Sequence, residues 1–221
     1  TDANFITTSP DVLKFLPKNK KCFFMPNPTD SSFEVLNNYE NNRCSMDVFF
    51  ALSHGVHRGI LKRGKHDERA DFVNRLVEIT PNVKFDLYGI NNVQPIWADS
   101  FLKSISNAKM GVNLSRGSPI KYYSSDRITQ LIGNGLLTFI HKDTHYNNFF
   151  SNKEVVFYSN ISNLSELIQK YARDDKLRKS VAKRGKNKYM KFFNSTIVAK
   201  YIIEKTFNAN KSNYFWEKKN N

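Results

Sequence analysis

The sequence is short of the features that assign a protein to a class at a glance. Its two cysteines, Cys22 and Cys44, are too few for a disulfide framework or a thiolate metal site, and read as reduced thiols. No apolar run approaches the roughly 20 residues that cross a bilayer, and the first residues show no signal-like segment. Neither G-x-x-x-x-G-K-[ST] nor G-x-G-x-x-G occurs, which removes support from P-loop and dinucleotide-binding readings. No pair of carboxylates at ligand spacing falls at an expected strand end, so no metal is implied. Acidic residues are scarce against basic ones, 20 to 34, for a net charge of +14. That excess asks for an anionic partner, whether nucleotide, nucleic acid or lipid headgroup, without choosing among them.

What is abundant is aromatic: 18 Phe and 10 Tyr among 221 residues imply an aromatic-rich core. The length suits one domain with a sizeable core, or one domain plus a fragment of another. Near-continuous apolar runs at 46–53, 83–88, 110–114, 136–140 and 154–158 read as strands covered on both faces. Segments of helical periodicity separate them: 67–79, with Phe72, Val73, Leu76 and Ile79 on one face, then 100–106, 125–133 and 163–173. Such alternation predicts an α/β fold, a Rossmann-like parallel sheet with helices on both faces. Before it, a short strand at 5–8, a helix started by Ser9 and Pro10, and a strand at 22–25 form a small unit over 1–29. Residues 30–45 are polar and asparagine-rich, consistent with a linker. Two further helices, 174–193 and 196–207, close a main domain over 46–208, and 209–221 is a polar tail around Tyr214, Phe215 and Trp216.

The chain is organised around KMGVNLSRGSPIKYYSSDRITQLIGNGLLTFI, residues 109–140. A buried strand leads into a polar loop with Arg116, Gly117, Lys121, Tyr122 and Tyr123, then into a helix and a second apolar strand. The loop thereby sits at the carboxyl end of a parallel strand, where open α/β sheets bind ligands. Ser124 or Ser125 suits the N-cap, and the helix start favours an anion. A second candidate loop, SHGVHRGILKRGKHDER, follows the first main strand, its amides and cations suited to a diphosphate. It contributes Gly55, Arg58, Gly59 and Lys62, with His54 as the one candidate for a catalytic or phosphate contact. After Gly89, Tyr88 and Trp97 are expected to pack in the core rather than stack on a nucleotide base.

The segment DRITQLIGNGLLTFI resembles the donor-binding segment of GT-B glycosyltransferases of the group 1 type, in which a helix ends in a glycine-containing turn before an apolar strand. In that family the helix presents a glutamate to the ribose of the sugar nucleotide, five residues before the glycine. Counting back from Gly135, this sequence has Gln130, an amide that can still serve two hydroxyls. Arg127 matches a basic residue at the helix start in some branches. The resemblance implies that 46–208 is the C-terminal, donor-binding half of a GT-B architecture, that 1–29 is the tail of an N-terminal acceptor domain, and that the chain alone is inactive. It assigns the donor to Gly55, Arg58, Gly59, Lys62, Arg116, Gly117, Lys121, Tyr122, Ser125, Asp126, Arg127 and Gln130. The nucleotide-sugar is then a substrate and no cofactor is needed.

The function so implied is transfer of a sugar from a nucleotide-sugar to a glycan or lipid-linked acceptor, as in polysaccharide biosynthesis, in the cytoplasm. The lysine-rich face of helix 174–193 (Lys176, Arg178, Lys179, Lys183, Arg184, Lys186, Lys188) reads chiefly as solvated surface and secondarily as a peripheral contact with the anionic inner membrane face. Two rivals share the composition. A basic α/β nucleic-acid-binding domain would stack bases on Tyr122 and Tyr123, although no RNA-binding motif accompanies them and no nucleic acid is expected. A non-catalytic scaffold finds support in Gln130 standing where the family has a carboxylate.

Overall fold

The computed structural model describes residues 3–16, 19–53, 60–61, 65–209 and 212–217. In chain order the elements are β1 (Asn4–Ile6), β2 (Cys22–Phe24), β3 (Met46–Ala51), β4 (Ile60–Leu61), β5 (Lys65–His66), α1 (Glu68–Ile79), β6 (Phe85–Tyr88), α2 (Ala98–Ser106), β7 (Ala108–Asn113), α3 (Arg127–Gly133), β8 (Leu137–His141), β9 (Val156–Tyr158), α4 (Ile161–Arg173), α5 (Asp175–Phe192) and α6 (Ser195–Thr206). Strands β6-β3-β7-β8-β9 form one parallel sheet. The expected Rossmann-like α/β fold is therefore the observed one. The short β4–β5 antiparallel pair is an element the sequence did not suggest.

Side-chain alternation in β3 shows why both sheet faces must be covered. Phe49 and Phe50 are each 1% exposed yet belong to different core clusters. Phe50 joins Val73 and Leu76 of α1 and Leu164 and Ile168 of α4; Phe49 joins Ile105 of α2 and Leu131 of α3. Burying a side chain of this size stabilises the fold by about 1.5–3 kcal/mol. Helix α3 lies very close to the sheet, since a Cβ on Gly111 of β7 would come within 2.3 Å of Leu131 Cδ2.

The aromatic surplus forms a third cluster away from those two layers. Phe24 packs on Tyr122 and Phe149, Phe150 stacks with Tyr189 and Phe193, and Tyr201 meets Tyr214 and Trp216. Strands β1 and β2, the carboxyl end of α5, α6 and the final aromatics thus share one core. Tyr214 and Trp216 are 4% and 3% exposed, so the segment expected as a polar tail carries two docked side chains. The helix expected after Ser9 is a single 3-10 turn at 10–12, and two further 3-10 turns, at 142–144 and 146–148, follow β8.

Residues 30–45 have no regular structure but lie against the main domain as a strap. Asn38 Nδ2 donates to the carbonyls of Ile105 (2.6 Å) and Ala108 (2.8 Å), and Lys186 Nζ donates to Leu36 O at 2.5 Å. Those contacts change the expected character of α5. Arg178, expected on its basic outer face, is 1% exposed, paired with Asp175 at 2.7 Å and donating to Lys109 O. Lys179 is held by Asp175 and Asn42, Arg184 by the carbonyl of Lys153, and Lys188 lies 3.7 Å from Glu154. Much of the lysine-rich face is engaged within the chain. Among the described residues, no helix is long and apolar enough to cross a membrane.

Candidate functional site

Strand order changes direction between β3 and β7, because the chain runs from β3 out to β6 and returns to β7 on β3's other side. The carboxyl ends of those two strands flank the crevice where doubly wound sheets take ligands. Arg127 fills its floor. Its Nη1 donates to Leu114 O at 2.8 Å, just past β7, and its Nη2 to Ala51 O at 3.0 Å, the last residue of β3. The guanidinium also lies over the Phe50 ring, 5.0 Å from its centroid. Burial, reinforced by the nearby Arg69 charge, lowers its pKa to about 10, which still leaves it cationic at neutral pH.

Further positive charge gathers around one carboxylate. Asp67, the N-cap of α1, is 2% exposed and accepts from Arg69 Nε at 2.9 Å and Nη2 at 2.6 Å, while Arg116 Nη2 lies 3.5 Å away. The hydrogen bonds from Arg69 hold the Asp67 carboxyl well below the usual carboxylate range. Arg69 and Arg116 thus flank a single acid, with the Arg127 charge near enough to feel both Arg69 and Asp67. That is an environment for an anion.

A cavity of about 710 Å³ opens above this floor. Ser125, Asp126, Arg127 and Gln130 line one side, and Ile96, Trp97, Phe101 and Leu102 the other. Among the described residues the Gln130 side-chain amide has no hydrogen-bond partner; its backbone is engaged, the N–H donating to Asp126 O and the carbonyl accepting from Asn134 Nδ2. Trp97 is 61% exposed, contrary to the core role expected for it, whereas Tyr88 does pack in the core and its hydroxyl accepts from Ser104 Oγ. Next to Trp97, Ala98 has φ +49, a left-handed conformation that costs an alanine about 1–2 kcal/mol. Backbone strain of this kind concentrates at functional sites.

Other candidates are placed differently. Neither Ser124 nor Ser125 caps α3: Asp126 precedes the helix without a side-chain cap bond, and Ser125 Oγ accepts from Arg127 instead. Lys121 is turned to Asp11 at 2.7 Å. Gly117, with φ +71, donates its N–H to Glu68 Oε1 at 2.6 Å. Tyr122, expected to face a donor, is instead 3% exposed, its ring packed against Phe24 and Phe149 in the aromatic core. Its burial also removes half of the tyrosine pair on which the nucleic-acid reading relied. His54, Gly55, Arg58, Gly59 and Lys62 lie outside the described residues. Sequence reasoning missed Asp67 and Arg69, although an aspartate opening a helix after a basic loop is a visible N-cap signal. Among the described residues, no group of three His, Cys, Asp or Glu side chains is placed to hold a metal ion.

A family described as glycosyl transferase-like matches residues 66–204. Comparison with curated proteins gives no match. Solved structures of similar fold include an S. aureus TarM variant in complex with Fondaparinux, alpha-GlcNAc-glycerol and UDP, at 13% identity and TM-score 0.66, over 93% of this chain and 44% of that one. Sucrose-phosphate synthase from Thermosynechococcus elongatus is 12% identical with TM-score 0.62, over 95% and 59%. Anabaena HepE in complex with UDP and glucose is 10% identical with TM-score 0.60, over 83% and 56%. The chain therefore spans between 44% and 59% of the length of these structures.

Proposed function

The chain belongs to the glycosyl transferase-like family, and on that premise we propose that it binds the nucleotide-sugar donor of a glycosyltransferase acting on a glycan or lipid-linked acceptor. The observation that carries this reading is the single cavity joining Arg127 at the strand switch, the unpaired Gln130 amide and the outward Trp97. Each suits one part of a nucleoside diphosphate. Trp97 offers a face to the base, Gln130 can serve two ribose hydroxyls, and Arg127 offsets phosphate charge. During transfer, negative charge grows on the leaving diphosphate, and pre-positioned cations there lower the barrier without reorganising. Support also comes from the TarM and HepE complexes, which contain UDP.

The test is calorimetry of the chain with UDP, GDP, UDP-glucose and UDP-N-acetylglucosamine. Saturable one-site binding of at least one nucleotide, weakened in Trp97→Ala and Gln130→Ala, is the expected result. Absence of binding by all four would remove the nucleotide reading and leave a scaffold that keeps only the fold.

A further inference from the structure

Helix α6 is apolar on two sides, which a helix at a protein surface ordinarily is not. Its inner side carries Val198 and Tyr201 into the aromatic core. Its outer side presents Ala199, Ile203 and Phe207, the last as its C-cap, spaced by four along one stripe. Ile203 is 58% exposed and Phe207 76%. An apolar ridge left at the surface marks a contact with a protein or a membrane.

The charge around the ridge decides between them. Lys200 lies on the same stripe, in a loose pair 3.7 Å from Glu204 that leaves its side chain 60% exposed. Lys21 Nζ donates to Asn208 Oδ1 at 2.8 Å, which brings the exposed Lys20 and Lys21 to the end of α6 beside Phe207. Asparagine is neutral, so that contact leaves the Lys21 charge uncompensated. The one acid of α6, Glu204, is 6% exposed and accepts from Ser212 N at 3.1 Å and Ser212 Oγ at 2.9 Å. Glu217 is paired with Lys205 at 2.8 Å. The ridge is thus bordered by cations whose neighbouring carboxylates are already engaged.

We propose that the carboxyl end of α6 seats this protein on an anionic lipid surface, with Ile203 and Phe207 entering the headgroup layer and Lys20, Lys21 and Lys200 meeting lipid phosphates. Attachment in the plane of a bilayer combines these two components, apolar insertion and cationic attraction. A second copy of the chain fits badly, because pairing this face with itself sets lysine against lysine. Nucleic acid would use the lysines but leave Ile203 and Phe207 in water. The surface also differs from the lysine-rich face of α5, where Arg178, Lys179 and Arg184 are held within the chain. It stands apart from the nucleotide reading of the strand-end cavity.

The experiment is co-sedimentation of the chain with vesicles of phosphatidylcholine alone, and with phosphatidylglycerol added to about one lipid in three. Binding to the anionic vesicles and not to the neutral ones is the expected result. The double variant Ile203→Asn, Phe207→Ser should weaken it by at least about tenfold. Lys21→Gln with Lys200→Gln should weaken it roughly 5-fold per charge. Lys176→Gln with Lys183→Gln, which removes the same charge from α5, should change it by less than about 2-fold. Melting curves identify a double variant that has unfolded, in which case Phe207→Ser alone is read. No pelleting with anionic vesicles overturns the proposal, as does equal pelleting with phosphatidylcholine or an equal effect of the α5 pair. Sedimentation velocity without lipid supplies the last arm: a wild-type dimer that Ile203→Asn, Phe207→Ser abolishes would give the face to a second copy and overturn the lipid assignment.

Discussion

Arg127 Nη2 donates to the carbonyl of Ala51 at 3.0 Å across 76 positions of sequence. With its bond to Leu114 O, one guanidinium ties the ends of two adjacent parallel strands at the point where the sheet reverses its order.

This bridge makes Arg127 a structural and a binding residue together. Arg127→Ala should lower stability by about 2–4 kcal/mol, because two carbonyls lose a charged donor. Arg127→Lys should recover part of that loss, since an ammonium can reach one carbonyl but cannot fork across two. Urea unfolding curves with unchanged slope would measure both. An alanine variant as stable as the parent would mean that water replaces the bridge without cost.

Gln130 should behave in the opposite way. Its amide is unpartnered, so Gln130→Ala should change stability by less than about 0.5 kcal/mol while weakening the bound nucleotide by about 0.5–1.5 kcal/mol. Gln130→Glu, which installs the carboxylate carried by the resembling family, should tighten binding through charge-assisted bonds to ribose. Calorimetry on all three proteins decides it. Equal affinities would place the ribose elsewhere.

Asp67 gives a pH signature. Its folded pKa is depressed by the Arg69 hydrogen bonds, so the ionised carboxylate stabilises the fold above its unfolded pKa of about 3.9. That contribution fades as pH falls from about 4 toward the lower folded value. Asp67→Asn should therefore be most destabilised at neutral pH, with the gap to wild type narrowing below about pH 4. A gap constant from pH 7 to pH 3 would show that the helix cap, rather than ionisation, is what the variant loses.

Asp11 and Lys121 form the link between the first turn of the chain and the loop after β7, at 2.7 Å, beside a backbone bond from Ser9 N to Lys121 O at 3.0 Å. As a largely exposed pair it should contribute only about 0–1 kcal/mol to global stability. Asp11→Asn should nonetheless speed amide exchange in residues 115–123 relative to β7 and β8. Unaltered exchange there would mean that the backbone bond alone holds the loop.

The sheet was legible because its strands are buried on both faces and so read as apolar runs wherever they pair. Arg127 and Gln130 were singled out by the resemblance of DRITQLIGNGLLTFI to a donor-binding segment, and the fold places both in the lining of the crevice cavity. The misplacements share one cause, which is that distant partners do not show in local composition. Tyr122 lies in a polar, basic loop, yet its ring is buried by Phe24 and Phe149 from far along the chain. Arg178 sits among lysines but is drawn inward by Asp175 and the carbonyl of Lys109. Asparagine-rich 30–45 looked like linker because nothing local reveals that Asn38 satisfies two carbonyls near β7. Trp97 was expected inside on hydrophobicity alone; the left-handed Ala98 beside it is a backbone property that no side-chain pattern announces.

The chain has only two tryptophans, and the fold puts them in opposite surroundings: Trp97 is 61% exposed on the lip of the larger cavity, and Trp216 is 3% exposed among Phe193, Tyr201 and Tyr214. The protein is accordingly a two-colour fluorophore. Trp97 should emit to the red and be quenched by iodide or acrylamide, and Trp216 should emit to the blue and be shielded from both. A ligand entering the cavity would dim the red component alone, whereas release of the carboxyl-terminal aromatics would shift the blue one, so a single emission spectrum separates occupancy from undocking without any label.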